Sequence, residues 1–413
     1  MSLRLSTRRL IRRGLLAMLA AQVAAIASLM GADRVRRLFR DRRVPPLEPA
    51  AAVSYPINDG SLATTYTYGE VLFDDMLAAI ASARQRILLE TYIIKGDEMG
   101  QRFKQALIDA ADRGVEVYVI YDQFANLVVR PSFLEFPPSV TVLRYPVFSS
   151  WKILSPRHLG RDHRKILVVD HDVAFVGGYN IGSSYATEWR DTHLRIEGPA
   201  VWDLDNAFVD FWNTHPRRGT PRLEQMPSAG WRPEIRAHRN VPRQLMYPIR
   251  GMYLEAIDRA DRTIDITAAY FIPDRDILEA LLEARRRGVQ VRIIVPRVSN
   301  HVVTDWLSRG FYGRLLRAGV EIHRFSDHMV HAKTATIDGE WTTIGTANID
   351  RLSLLGNYEI NLEILDRGLA QGMQKVFAED CARCERLTLE QWMTRPVINR
   401  VYEAVLRPLA PLL

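Results

Sequence analysis

Cysteine is the scarcest reactive residue in this chain. Only Cys381 and Cys384 occur among 413 residues, and no histidine lies near them at the spacing of a zinc site. One disulfide at most can form, which excludes a disulfide-stapled scaffold and a zinc finger. With 47% apolar and 25% charged residues, the composition is that of an ordinary globular protein with a large core. The length predicts two or three domains.

The chain also lacks a basic excess outside its N-terminal segment. The formal charge is +7, but eleven arginines and only two acids fall within residues 1–43, which leaves 44 basic and 46 acidic residues elsewhere. A near-neutral body argues against a broad basic surface for nucleic acid. We therefore expect no nucleic-acid partner.

Long apolar runs are limited to one, GLLAMLAAQVAAIASLM at residues 14–30. As a helix it would span about 25 Å, slightly less than a bilayer core. It is consistent with a short transmembrane anchor, a cleaved export signal, or a helix lying in the membrane surface. Arginines on both flanks favour anionic phospholipid. We predict that residues 1–43 attach the protein to a membrane, most simply the cytoplasmic membrane, on a side that the sequence leaves open.

The remainder of the chain contains an internal repeat. A helical pattern at residues 76–94 is followed by FKQALIDAADRGVEVYVIYD, and a second one at 253–271 by ILEALLEARRRGVQVRIIVP. Each of these segments reads as a helix that stops at Arg-Gly, followed by a buried strand, which predicts an α/β fold. The predicted organisation is a linker at 44–64, a first repeat at 65–222, a connector at 223–245, a second repeat at 246–392 and a C-terminal tail at 393–413.

Each copy then reaches the same set of polar residues at the same spacing. A His is followed by Lys after two residues and by Asp after seven. A Gly-x-x-Asn follows each Asp, and an acid lies eleven residues beyond each Asn. The first copy has His163, Lys165, Asp170, Asn180 and Asp191, and the second has His331, Lys333, Asp338, Asn348 and Glu359.

The spacing suggests a phosphate-handling site. Residues two apart in a strand share a face, so each His and its Lys project together. If the two copies pack face to face, the Lys and Asn side chains bind phosphate oxygens. One imidazole attacks phosphorus and the other protonates the leaving oxygen. Asp191 and Glu359 are candidates to fix the imidazole tautomers. Asp170 and Asp338 suit turns, where a structural or orienting role is expected. No metal or cofactor is required.

These motifs resemble those of the phospholipase D superfamily, whose pattern is HxKxxxxD followed by G-[GST]-x-N. The stretches HRKILVVDHDVAFVGGYNIG and GTANIDRLSLLGNYEINLEI are similar to bacterial cardiolipin synthases. The resemblance, which covers about residues 65–390, implies two α/β/α sandwich repeats packed as a pseudo-twofold bilobal unit.

The same resemblance implies an activity. It is a metal-free phosphatidyl transfer from a phosphatidylglycerol-type lipid to an alcohol through a phosphohistidine, with His163 as nucleophile and His331 as general acid and base. The catalytic set would be the two His-Lys-Asp motifs, and Asn180, Asn348, Asp191 and Glu359 would bind substrate or position these groups. One departure is that long-form cardiolipin synthases typically have two N-terminal transmembrane helices, whereas this chain has at most one.

Two other functions stay open on the sequence alone. Water as acceptor would make the protein a phospholipase D or a nuclease, and a decayed repeat would make it a non-catalytic membrane protein. The completeness of both motifs disfavours the latter. The aromatic segments 145–156 and 302–316 are either acyl-contacting or core-packing pieces.

Overall fold

The computed structural model describes residues 2–39, 47–147, 160–217, 219–227, 234–326 and 328–412. It begins with one long helix, α1 (Ser2–Phe39). The elements of the first unit are, in chain order, β1 (Val53–Pro56), β2 (Leu62–Tyr66), α2 (Gly69–Ser82), β3 (Arg86–Thr91), α3 (Glu98–Asp112), β4 (Glu116–Asp122), β5 (Val140–Tyr145), β6 (Ile166–Val169), β7 (Val173–Gly177), α4 (Ser183–Thr187), β8 (Trp189–Arg190), β9 (His193–Glu197) and α5 (Val201–Thr214).

The second unit repeats the core of this order and ends in additional helices. Its elements are β10 (Ile235–Asn240), α6 (Pro248–Arg259), β11 (Thr263–Ala268), α7 (Arg275–Arg286), β12 (Gln290–Pro296), α8 (Val302–Arg317), β13 (Glu321–Phe325), β14 (Met329–Val330), β15 (Lys333–Ile337), β16 (Trp341–Gly345), α9 (Arg351–Leu355), β17 (Glu359–Leu365), α10 (Arg367–Ala382), β18 (Cys384–Leu387), α11 (Leu389–Met393) and α12 (Val397–Leu406).

Each unit is built on an eight-stranded mixed sheet. The strand orders are β1-β2-β9-β7-β6-β3-β4-β5 and β10-β17-β16-β15-β11-β12-β13-β18. Six consecutive strands correspond one to one, and in both units three parallel strands adjoin three antiparallel ones. The sequence prediction of two α/β repeats is therefore confirmed.

Local sequence explains where the main helices begin and end. The carboxylates of Asp97 and Asp274 cap the N-termini of α3 and α7. Gly114 and Gly288 follow the last turns with φ of +90° and +97°, a conformation that glycine adopts at little cost. Both helices bury one apolar stripe against the strands that follow, as the periodicity predicts.

The structure differs from the sequence prediction in four places. The helical pattern predicted at 76–94 is the end of α2 followed by strand β3. The one predicted at 253–271 is likewise the end of α6 followed by strand β11, because the apolar residues of both strands lie within the sheets. The predicted linker 44–64 contributes β1 and part of β2 to the first sheet, and the predicted connector 223–245 contributes β10 to the second. The edge strands β1 and β10 carry weak periodicity, because few of their side chains are buried.

The two units share a hydrophobic core. One cluster of buried side chains joins residues of β7, β9 and α5 to residues of β16, β17 and α10. Main-chain pairing also crosses between the units, because β8 of the first pairs in parallel with β14 of the second. The segments before β6 and β17 are joined in a similar way, through an Asp162–Tyr358 bridge. The units are thus linked next to both His-x-Lys motifs.

Helix α1 lies against the second unit. Its face formed by Gln22, Ala25 and Leu29 is buried against α8 and α12, where a cluster includes Leu307 and Leu406. The opposite face is exposed and apolar. By length and composition, residues Leu16–Val35 are sufficient to cross a membrane, and only 17% of this stretch is buried. The predicted C-terminal tail includes α12, which packs on the body beside α1.

Candidate active site

Both His-x-Lys motifs lie at the same edge of their sheets. His163 precedes β6, whose first residue, Ile166, pairs with Glu90 near the end of β3. His331 precedes β15, whose Lys333 pairs with Ala268 at the end of β11. The carboxyl ends of the parallel strands therefore form the edge that carries both histidines.

Each histidine is held by a carboxylate from the other unit. The Nδ1 atom of His163 lies 3.0 Å from both carboxylate oxygens of Glu359, and Nδ1 of His331 lies 2.6 Å from Oδ2 of Asp191. The sequence proposed these acids as orienting groups but left open which histidine each would hold. A carboxylate that accepts from Nδ1–H leaves the Nε2 lone pair free to react, so both imidazoles are fixed in one tautomer.

Main-chain hydrogen bonds reinforce these crossed pairs. The N–H of His163 donates to the carbonyl of Tyr358 at 3.0 Å, and the N–H of His331 donates to the carbonyl of Arg190 at 2.7 Å. Each histidine is thus attached to the residue that directly precedes its partner acid. The side chain of His163 is 12% exposed and that of His331 is 6% exposed, which makes His163 the more accessible.

The two motif lysines lie close enough to influence each other. Each ammonium donates to the carbonyl of the histidine two residues before it. Burial lowers the pKa of Lys165 to about 7, where Glu359 opposes the shift and Lys333 adds to it. Burial also lowers the pKa of Lys333 to about 8. Both ammonium groups gain stability when a phosphate anion enters between them.

The motif asparagines line the same edge. The Oδ1 atom of Asn180 accepts from the N–H of Ile93 at 3.2 Å, which fixes its amide orientation. Asn348 is buried, and its Oδ1 atom has no hydrogen-bond partner among the described residues. Within that same part of the chain, no three His, Cys, Asp or Glu side chains come together as metal ligands would.

The two carboxylates have opposite electrostatics. Burial would raise the pKa of Asp191, but the charges of Lys333 and His331 hold it at about 2. Burial raises the pKa of Glu359 to about 7, against the charge of Lys165 and a hydrogen bond from Thr346. Asp191 is therefore the permanently ionised acid, and it favours a positive charge on His331.

Burial keeps both imidazoles neutral in the empty site. It places the pKa of His163 well below its usual range, and the ammonium of Lys165 lowers it further. The pKa of His331 falls to about 3 by burial and the charge of Lys333. A phosphodiester anion would offset the lysine charges and raise both pKa values.

One position of the Gly-x-x-Asn segment distinguishes the two halves. Gly178 leaves room for Asp191, because a Cβ atom at Gly178 would lie 2.0 Å from the Oδ1 atom of that acid. Its counterpart Thr346 instead donates from Oγ1 to Oε2 of Glu359 at 2.5 Å. Thr346 was not among the site residues predicted from the sequence. The signal that marks it is its place between the motif glycine and the motif asparagine.

Asp170 and Asp338 are not brought to the histidines. Each lies at the far end of its strand, in a hairpin turn with φ of 52° and 55° respectively. The carboxylate of Asp170 accepts from the N–H groups of Arg84, Gln85 and Arg86 at 2.7–2.9 Å. That of Asp338 accepts from residues 261, 262 and 263 at 2.7–2.8 Å. Asp170 and Asp338 were among the catalytic candidates, but this geometry does not support a catalytic role. It agrees with the structural role in turns that the sequence also suggested.

Aromatic rings border both histidines, and neither ring was predicted from the sequence to lie in the site. The ring centroid of Tyr92 lies 4.6 Å from that of His163, and that of Trp189 lies 5.1 Å from that of His331. Tyr92 follows β3 and Trp189 begins β8, so both follow from topology rather than from a motif.

Only part of the aromatic segments and of the basic residues that precede β6 can be placed. Arg161 stacks on the rings of Phe124 and Tyr145. Arg164 is buried and paired with Glu90 at 2.5 Å. Arg157, His158 and most of segment 145–156 lie outside the described residues. Segment 302–316 forms most of α8, whose inner face is core.

Comparison with known families agrees with this geometry. The family described as "Cardiolipin synthase, PLD-like domain" matches residues 76–212 and 253–381, one match in each unit. The chain is 34% identical over 365 residues to the "Major cardiolipin synthase ClsA" of Bacillus subtilis, covering 84% of this chain and 74% of that protein. It is also 34% identical over 371 residues to a cardiolipin synthase of Geobacillus kaustophilus, covering 87% and 74%.

Solved structures add a likeness of fold. The phosphatidylserine synthase of Haemophilus influenzae superposes with a TM-score of 0.65 at 15% identity, covering 85% of this chain and 93% of that one. The polyphosphate kinase of Porphyromonas gingivalis gives a TM-score of 0.51 at 14% identity, covering 85% and 56%. The sequence matches and the duplicated His-x-Lys site together show that the chain belongs to the cardiolipin synthase family of phospholipase D-like proteins and is a phosphatidyltransferase.

Proposed function

We propose that the protein transfers a phosphatidyl group from a phosphatidylglycerol-type donor to an alcohol such as a second phosphatidylglycerol. In the first step, Nε2 of His163 attacks phosphorus, and a P–N bond forms as the P–O bond to glycerol breaks. His331 donates its proton to the leaving oxygen, so that neutral glycerol departs. The product is a phosphohistidine that retains the diacylglycerol ester.

The second step reverses these roles. His331, now neutral, takes the proton of the acceptor hydroxyl, whose oxygen attacks phosphorus and displaces Nε2 of His163. The P–N bond breaks, and both histidines return to their starting states. Lys165, Lys333 and the two motif asparagines bind the non-bridging oxygens, where negative charge builds up in each transition state.

One observation carries this proposal: each imidazole is bound at Nδ1 by a buried carboxylate from the opposite unit. Two fixed imidazoles beside two lysines suit a two-step displacement at a phosphodiester. The ionised state of Asp191 supports His331 as the proton donor, and the greater exposure of His163 supports it as the nucleophile.

Product analysis tests the proposal. The purified protein is incubated with phosphatidylglycerol vesicles, and lipids and glycerol are quantified. We expect cardiolipin and glycerol in equal amounts, and neither with His163→Ala. His171→Ala is the matched control, since His171 lies in the β6–β7 turn away from the site. Phosphatidic acid as the sole product would show that the reaction is hydrolysis and not transfer. DNA cleavage without lipid turnover would overturn the assignment of a lipid substrate.

We further propose that α1 attaches the protein to an anionic phospholipid membrane. Support comes from its exposed apolar face and from the arginines on both flanks of the apolar run. Deletion of residues 1–43 should greatly weaken binding to vesicles while activity on detergent-dispersed lipid persists. A truncated protein that remains fully bound would refute this assignment.

A further inference from the structure

The turn after β4 exposes large apolar side chains beside the active site. In residues 123–130, QFANLVVR, the side chains of Phe124, Leu127 and Val128 are 51%, 65% and 94% exposed. Neither motif includes this turn, and no described segment of the first unit covers these three side chains. We refer to residues 123–130 as the apolar turn.

The apolar turn is rigidly held rather than loosely attached. The carboxylate of Asp122 accepts from the N–H groups of Phe124 and Ala125 at 2.8 and 3.1 Å. Buried Asn126 accepts from the N–H of Ile94 and donates to the carbonyls of Tyr92 and Asp122. The backbone is thus satisfied internally, and this leaves the apolar side chains to point outward from an ordered base.

Its position relative to the chemistry is fixed by the sheet. The turn starts at the carboxyl end of β4, next to the end of β3, and that edge carries His163. Asn126 bonds the carbonyl of Tyr92, whose ring contacts the His163 imidazole. A membrane or protein that binds the apolar turn would therefore lie next to the substrate entrance of the active site.

We propose that the apolar turn inserts into the lipid bilayer and seats the active site on the membrane surface from which it draws substrate. This inference rests on the proposed phospholipid substrate. The charge pattern fits, because Arg130 is exposed at the end of the turn. The cation of Arg130 would meet a head-group phosphate while the apolar tips enter the acyl region.

The second unit offers a matching apolar element at the same edge. Helix α8 begins just after β12, and its first residues Val302, Val303 and Trp306 pack with Ala25 and Leu29 of α1. The turn and the exposed face of α1 are therefore both attached to the edge that carries the histidines. Two such contacts would set the orientation of the enzyme on the bilayer, which a single helix does not fix.

Leu365 provides a matched control surface. It is 48% exposed at the last position of β17, whose first residue, Glu359, binds His163, so it lies at the opposite edge of the sheet. The variant L127S/V128S should lower kcat/KM on phosphatidylglycerol vesicles about ten-fold, since two apolar side chains lose their lipid contact. Its activity in detergent micelles should equal that of the wild type. L365S should match the wild type in both. Equal losses of L127S/V128S in micelles and vesicles would overturn the proposal.

Insertion can be measured without turnover. In a His163→Ala background, V128W and L365W are mixed with vesicles that contain brominated lipids, and the eight native tryptophans contribute equally to both. We expect bromine to quench the added tryptophan of V128W only. Equal quenching in the two variants would refute insertion and point to a protein partner for the turn. If the wild type made no transfer product but V128W were still quenched, the proposed function would be refuted. Insertion of the apolar turn into the bilayer would still be supported.

Discussion

Converting Asp191 to Asn tests which histidine supplies the proton. The Nδ1–Oδ2 distance of 2.6 Å places the imidazolium of His331 and the carboxylate of Asp191, both almost fully buried, with centres of charge about 4 Å apart. At an effective dielectric constant near 20, their attraction is about 4 kcal/mol, or about three pKa units of His331. We predict that Asp191→Asn slows transfer from phosphatidylglycerol about 10³-fold, because protonated His331 becomes that much scarcer.

The leaving group distinguishes this loss from general damage. A phosphatidyl donor that carries p-nitrophenol releases a stable anion and needs no proton from His331. With this donor, Asp191→Asn and His331→Ala should each release a burst of nitrophenolate close to one equivalent of enzyme, whereas His163→Ala should release none. A burst from His163→Ala and none from His331→Ala would reverse the two roles and refute the reasoning. Failure of the burst in Asp191→Asn alone would show that the carboxylate does more than stabilise the proton on His331.

Three further predictions concern other parts of the site. Because the pKa of Lys165 is about 7 in the empty enzyme, kcat/KM should fall as the pH rises through 7 to 8, and Lys165→Arg should remove that component of a measured pH profile. Gly178→Ala should abolish activity, because its Cβ atom would overlap the Asp191 carboxylate, whereas Gly251→Ala, with open space around it in α6, should keep full activity and gain up to about 1 kcal/mol in denaturation. Asp170→Ala should lower the free energy of unfolding by about 2 kcal/mol, since three N–H groups lose their acceptor, and should leave kcat within about two-fold; a loss of kcat in fully folded protein would instead make this acid part of the chemistry.

The sequence predicted the parts of the site better than their pairing. Fixed spacing between His163 and Asn180 defined one half because the two strands of the β6–β7 hairpin keep their relation in any packing. It did not show that Glu359 would bind His163 rather than His331, since that depends on how two sheets meet. The same limit applies to Tyr92 and Trp189, which reach the histidines only through sheet topology.

The wrong predictions of helices, strands and linkers have a similar origin. The run at 76–94 combines a helix and a buried strand, and apolar residues on every side of a central strand hide its two-residue period. Edge strands β1 and β10 were absorbed into predicted linkers because their residues alternate only weakly. The apolar turn after β4 was overlooked since three exposed apolar residues in a turn have no periodic pattern.

The crossed pairing of histidines and acids has a consequence for how such a chain can change over generations. A substitution near His163 in the first unit changes the contact with Glu359 in the second. A substitution near His331 in the second unit changes the contact with Asp191 in the first. Neither half can lose its function while the other keeps its own, so the two copies are selected as one. Each copy holds the acid that the histidine of the other copy needs, so a change in either unit reaches both imidazoles.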